Sequence, residues 1–150
     1  MSSSIKEKPE TILVVDDNEA VLKTVVAILE RASFRVLSAV GGVEALQVAG
    51  KTEGKIDLLL SDVEMPQMSG PDLGQTLKKQ RLDIRVVLMS GGPNESQRVH
   101  KCVSAYIQKP FAPKTLVASI EHVLHSPDRS EPGGQEADGG KDSEYQGRSS

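Results

Sequence analysis

Two adjacent aspartates, Asp16-Asp17, stand directly after the aliphatic run Ile12-Leu13-Val14-Val15. A third, Asp62, follows Leu58-Leu59-Leu60-Ser61, while Ser90-Gly91-Gly92 and Lys109-Pro110 close two further short apolar runs. Carboxylates brought to one place repel one another and need a cation. Oxygen donors of this kind suit Mg²⁺, which binds through one or two carboxylates, water and phosphate oxygens. Lys109 would add a second positive charge and Ser90 a hydroxyl. An acidic cluster around one central carboxylate is the equipment of aspartyl phosphorylation. The carboxylate acts as nucleophile, while metal and lysine neutralise charge on the transferred group.

For these residues to meet, the elements before them must end on one edge. The runs Ile12 to Val15, Val36-Leu37, Leu58 to Leu60, Val86-Val87-Leu88-Met89 and Ala105-Tyr106-Ile107 are short and aliphatic, as strands covered on both faces are. Between them lie helical spacings: Leu22, Val25 or Val26 and Leu29, and later Leu116, Ile120, Val123 and Leu124. Weaker helices are predicted over 43–49, 71–80 and 94–101, with Pro71 in a first turn where its missing N–H costs nothing. Five strands alternating with five helices predict a doubly wound α/β domain whose right-handed crossovers put helices on both faces. Ligands of such folds bind at the carboxyl ends of the strands, where the aspartates stand.

Residues 11–125 resemble the receiver domain of two-component response regulators, a flavodoxin-like fold with strand order 2-1-3-4-5. Four stretches carry the resemblance: Ile12-Leu13-Val14-Val15-Asp16-Asp17-Asn18-Glu19, Asp62-Val63-Glu64-Met65-Pro66-Gln67-Met68-Ser69-Gly70, Met89-Ser90-Gly91 and Lys109-Pro110-Phe111. The resemblance implies that Asp62 accepts a phosphoryl group from a histidine kinase or a histidine phosphotransfer protein. It implies Mg²⁺ held directly by Asp17 and Asp62, through water by Asp16, and by the backbone carbonyl of Glu64. Ser90 and Lys109 would contact phosphoryl oxygens, Tyr106 would be the aromatic switch residue, and the Lys109–Pro110 bond would be cis. Such a protein catalyses its own phosphorylation and dephosphorylation without being a conventional turnover enzyme. Its output face toward a downstream protein target would be the fourth helix, fifth strand and fifth helix. The segment 94–101 can form at best about two turns, too little to be stable without packing, so it is expected to be mobile.

Composition narrows the class. Hydrophobic residues make up 37% and charged residues 26%, but aromatics only 3%, so aliphatic side chains must build the core. A net charge of −3 gives no basic footprint for nucleic acid. Residues 1–10 carry no apolar stretch of the kind a secretory signal needs, and no run is long enough to span a membrane. A cytoplasmic protein is expected. Residues 126–150 are rich in Gly, Pro and Ser and hold six acidic and three basic residues; a disordered acidic tail is expected there. No effector domain follows residue 125, so direct DNA binding is not expected, and a stand-alone regulator or a receiver cut from a hybrid kinase both fit. Cys102 reads as packing and His100, His122 and His125 as helix surface; a helix cap at Asp17 or Asn18 is the lesser reading beside metal binding, with which it can coexist. The main alternative is a receiver-like binding module that is never phosphorylated. A haloacid-dehalogenase-type phosphatase would need a second Asp and a Thr just after the nucleophile, where Val63-Glu64-Met65 stands. A flavin carrier would need a hydroxyl-rich loop in place of Asp16-Asp17.

Overall fold

The structure, a computed structural model, describes residues 9–91 and 102–126. Nine elements follow in order: β1 Thr11–Val15, α1 Glu19–Arg31, β2 Arg35–Ala39, α2 Gly42–Lys51, β3 Leu58–Asp62, α3 Gly70–Gln80, β4 Arg85–Ser90, β5 Ala105–Gln108 and α4 Pro113–Leu124. The strands form one parallel sheet in the order β2-β1-β3-β4-β5, as expected. Four helices are present among the described residues; the further one expected at 94–101 lies outside them, as do the tail beyond residue 126 and most of residues 1–10.

Side chains of a strand alternate between faces, and here both faces are apolar. Ile12, Val14, Leu58, Leu60, Val87 and Met89 point to one side, where Leu22, Val25 and Leu29 of α1 and Leu116, Ile120 and Val123 of α4 cover them. Leu13, Val15, Leu59, Val86 and Leu88 point to the other, beneath Ala45 and Ala49 of α2 and Leu73 and Leu77 of α3. The central strands β1, β3 and β4 are buried almost throughout. At the edge, β2 departs from the expectation of full cover: Val36 and Leu37 are only half-buried and Arg35 and Ser38 are exposed. An edge strand has a neighbour on one side only, and water takes the other.

Helix starts carry local signals. Asn18 caps α1, its side-chain oxygen accepting from the N–H groups of Ala20 at 3.0 Å and Val21 at 3.1 Å. Ser69 caps α3 through the Asp72 N–H, with Pro71 in the first turn. At the other end of the sheet two arginines hold helix C-termini. Arg81 donates to the carbonyls of Ala49, Thr52 and Gly54, at 2.8, 2.9 and 2.8 Å, around the end of α2. Arg85 donates to Val123 and Leu124 at the end of α4. A cation there adds a donor to carbonyls in and just beyond the last helical turn and complements the helix dipole.

Replacing Arg81 with methionine keeps the aliphatic stem and removes these bonds. We expect Arg81→Met to lose about 2 kcal/mol, roughly 6–10 °C in melting temperature by circular dichroism. An unchanged melting temperature would show that water replaces the guanidinium at no cost.

Candidate functional site

Because all five strands run the same way, the residues that follow β1, β3, β4 and β5 meet on one edge of the sheet. Asp16 is the most enclosed of the acids, 1% exposed. Its N–H donates to the Ala39 carbonyl at 3.2 Å, and its Oδ1 accepts from the Asn18 N–H at 2.9 Å. This aspartate turn swings the chain from β1 into α1 and leaves Asp17 exposed. Asp62 ends the central strand β3 in register with Met89 of β4. Lys109 follows β5, its N–H donating to the Ser90 carbonyl at 2.8 Å, and the Lys109–Pro110 peptide is cis as expected.

The lysine side chain crosses the edge and joins the acids. Its Nζ donates to Asp16 Oδ2 and to Asp62 Oδ1, each at 3.1 Å. Asp16, Asp17 and Asp62 each offer a carboxylate oxygen within 4.8 Å of the other two. Burial lifts the Asp62 carboxyl above the usual range, and Asp16 adds to the rise, against the pull of Lys109 and the Val63 N–H. Burial would lower the Lys109 ammonium, but its hydrogen bonds to Asp16 and Asp62 outweigh that and raise it, keeping it charged. A further cation beside Asp62 would favour its ionised form. Three carboxylates against one ammonium form an all-oxygen donor set with negative charge left over, which fits Mg²⁺.

A loop frames the mouth of the site between β3 and α3. It is tied down by the Val63 N–H to the Met89 carbonyl at 3.0 Å and by the Gly70 N–H to the Val63 carbonyl at 2.8 Å. Gln67 takes a left-handed φ of 74°. Gly70 presses so closely on Asp62 that a Cβ there would strike the Asp62 carbonyl oxygen and come to 3.0 Å from the Leu88 side chain. A Cβ on Gly42, at the start of α2, would likewise lie 2.8 Å from Met68 of the loop. Glu64 is exposed.

Of the remaining expected residues, Ser90 is fully buried at the end of β4. Tyr106 sits on β5 opposite Leu88, half-buried, and burial raises its hydroxyl. Cys102 packs half-buried near Gly74 and Val86. His122 and His125 lie exposed at the end of α4, His125 Nε2 being 3.3 Å from Glu10 Oε2; His100 lies outside the described residues. The sequence alone does not single out the N-cap Ser69 or the close approach at Gly70. For Ser69 the signal was available, a serine three residues ahead of an aspartate with a proline between.

Residues 12–121 match the family model of the response regulator receiver domain. The sensor kinase CckA of Brucella abortus is 33% identical over 121 residues, covering 79% of this chain and 13% of that protein. The response regulator SaeR of Staphylococcus aureus is 27% identical over 116 residues, 75% of this chain and 50% of that one. This chain therefore spans half the length or less of these curated relatives. Among solved structures, the chemotaxis response regulator CheY4 of Vibrio cholerae superposes with a TM-score of 0.69 at 27% identity, covering 77% of this chain and 99% of that chain.

The contact at Gly70 has a measurable consequence. Gly70→Ala should lower stability by about 1–3 kcal/mol through overpacking. Gly50→Ala, in α2 with open space around it, should instead gain about 0.5 kcal/mol, the usual benefit of alanine over glycine in a helix. Equal melting curves for the two variants would contradict the close approach.

Proposed function

The chain belongs to the response regulator receiver domain family, and on that premise we propose that Asp62 is its phosphoryl acceptor. The observation that carries the reading is the Lys109 ammonium 3.1 Å from Asp62 Oδ1, beside two further carboxylates. The proposed metal set is Asp16, Asp17, Asp62 and the backbone carbonyl of Glu64. When bound, Mg²⁺ would neutralise phosphoryl oxygens and the acidic cluster. Both oxygens of Asp16 already have protein partners, which favours its acting through water, while exposed Asp17 has an oxygen to give.

In the proposed transfer an Asp62 carboxylate oxygen attacks the phosphorus of a phosphohistidine on a histidine kinase or histidine phosphotransfer protein. The new P–O bond forms as the P–N bond breaks, and the electron pair leaves on the imidazole nitrogen, which is protonated in turn. Lys109 then bonds one phosphoryl oxygen and offsets part of its charge, and the Ser90 hydroxyl donates to another. Dephosphorylation is attack of water on the same phosphorus, which restores the carboxylate and releases phosphate. The phosphoryl group carries about −1.5 to −2 charges in place of the single charge of the Asp62 carboxylate; Ser90 moving toward it would open space for Tyr106, passing the change to the β5 edge and a downstream protein.

The unit is taken as residues 11–125, between a short lead and the 126–150 tail, acting in the cytoplasm. Similarity to part of a sensor kinase and to half of a response regulator supports a receiver that works within either kind of protein. A binding module that is never phosphorylated would have no use for this charge arrangement, and the retained acids and lysine favour chemistry over it.

With acetyl phosphate and Mg²⁺, intact mass should show one phosphoryl group added to the wild type. None should be added without a divalent cation, and none to Asp62→Asn. Labelling of that variant at the wild-type rate would sink the assignment. Exposed Glu64 stands at the mouth of the site. Removing one unit charge at about 6 Å in water changes a rate by roughly threefold, so Glu64→Asn should shift the decay of the acyl phosphate by about that factor while leaving the fold intact. Superimposable decay curves would count against it.

A further inference from the structure

Strand β3 reads Leu58-Leu59-Leu60-Ser61-Asp62, and its serine is completely buried. A hydroxyl in so apolar a place costs free energy unless it is bonded. Here it is: Ser61 Oγ donates to the backbone carbonyl of Asp62 at 2.9 Å and lies 3.9 Å from Met65 Sδ. Gly70 also closes on this carbonyl, which a Cβ would strike. The same peptide is held at its other group, the Val63 N–H donating to the Met89 carbonyl, and the next one through the Val63 carbonyl, which accepts from the Gly70 N–H. An alanine or a valine would fill the strand position without the polar atom, so the bond to Asp62 is what serine adds.

We propose that Ser61 is a positioning residue for phosphoryl transfer. By tethering the Asp62 carbonyl it sets the rotation of that residue about its backbone, and with it the direction in which the carboxylate points. The carboxylate then meets Lys109 at 3.1 Å and shares its edge with Asp16 and Asp17. The inference rests on the reading of Asp62 as acceptor. Loss of the tether leaves the fold in place and lets the carboxylate drift. A misplacement of about 1 Å can cost roughly a hundredfold in rate, so a partial drift should cost about tenfold.

The test uses the full chain and two readouts. In a crystal structure of Ser61→Ala, Asp62 Oδ1 should move beyond about 3.5 Å from Lys109 Nζ, outside hydrogen-bond reach. Phosphorylation by acetyl phosphate at saturating Mg²⁺ should slow by about tenfold, and Ser61→Thr, which keeps the hydroxyl, should recover most of the rate. Arg85→Met, at the opposite edge of the sheet, controls for lost stability and should react at the wild-type rate. A carboxylate that stays beside Lys109 in Ser61→Ala, or a rate no lower than that of Arg85→Met, overturns the proposal. If the wild type takes up no phosphoryl group while the Ser61→Ala carboxylate still swings away, the acceptor reading fails and only the placement of the Asp62 carboxylate by Ser61 stands.

Discussion

Three carboxylates crowd one edge of a parallel sheet, and a single ammonium stands between two of them. Lys109 reaches Asp16 Oδ2 and Asp62 Oδ1 at the same distance, 3.1 Å, from residues 93 and 47 positions away in the chain. Asp16 is shut away from water, so its charge depends on that ammonium and on the Asn18 N–H for compensation. Removing one partner of a buried pair leaves a charge that the protein solvates poorly, and this is the costly event in such sites. The arrangement still carries more negative than positive charge. That imbalance makes the site receptive to a divalent cation and, once one is bound, to the oxygens of a phosphoryl group.

The rest of the molecule answers to that edge. Parallel strands deliver their carboxyl ends to one side, and the order β2-β1-β3-β4-β5 puts the Asp62 strand in the middle, with the Asp16 strand beside it. Aliphatic layers on both faces hold the strands rigid, and glycines at positions 42 and 70 let α2 and α3 come up close beneath the loop. The opposite edge does different work. Arg81 and Arg85 close helix C-termini there, so stabilising and reactive groups sit at opposite ends of the same strands. Substitutions at the arginines should therefore report on stability without touching the chemistry.

Much of this was legible in the chain itself. The apolar runs gave the strands because a buried parallel strand needs side chains for two faces, and the acids after β1 and β3 stood where such folds bind ligands. What escaped was set by tertiary contact. Nothing in Leu60-Ser61-Asp62 says that the serine will bond the neighbouring carbonyl, since a strand-end serine can equally bond other groups. Gly70 reads as a turn glycine until the Asp62 carbonyl is seen against it. Arg81 and Arg85 look like surface charges, because the carbonyls they hold lie 27 to 39 residues away. The half-exposed β2 was hidden for a similar reason, as a strand's place in the sheet order is not written in its own residues.

Which atom receives the phosphoryl group decides what this edge of the sheet does. An acyl phosphate, unlike a phosphoester, is cleaved by borohydride, which converts the modified aspartate to homoserine. Reducing the protein after treatment with acetyl phosphate and Mg²⁺, then mapping its peptides by mass, therefore locates the acceptor. Homoserine at position 62 and at no other aspartate is the predicted result. Homoserine at Asp16 or Asp17, or a phosphorylated protein that borohydride leaves unchanged, would contradict it.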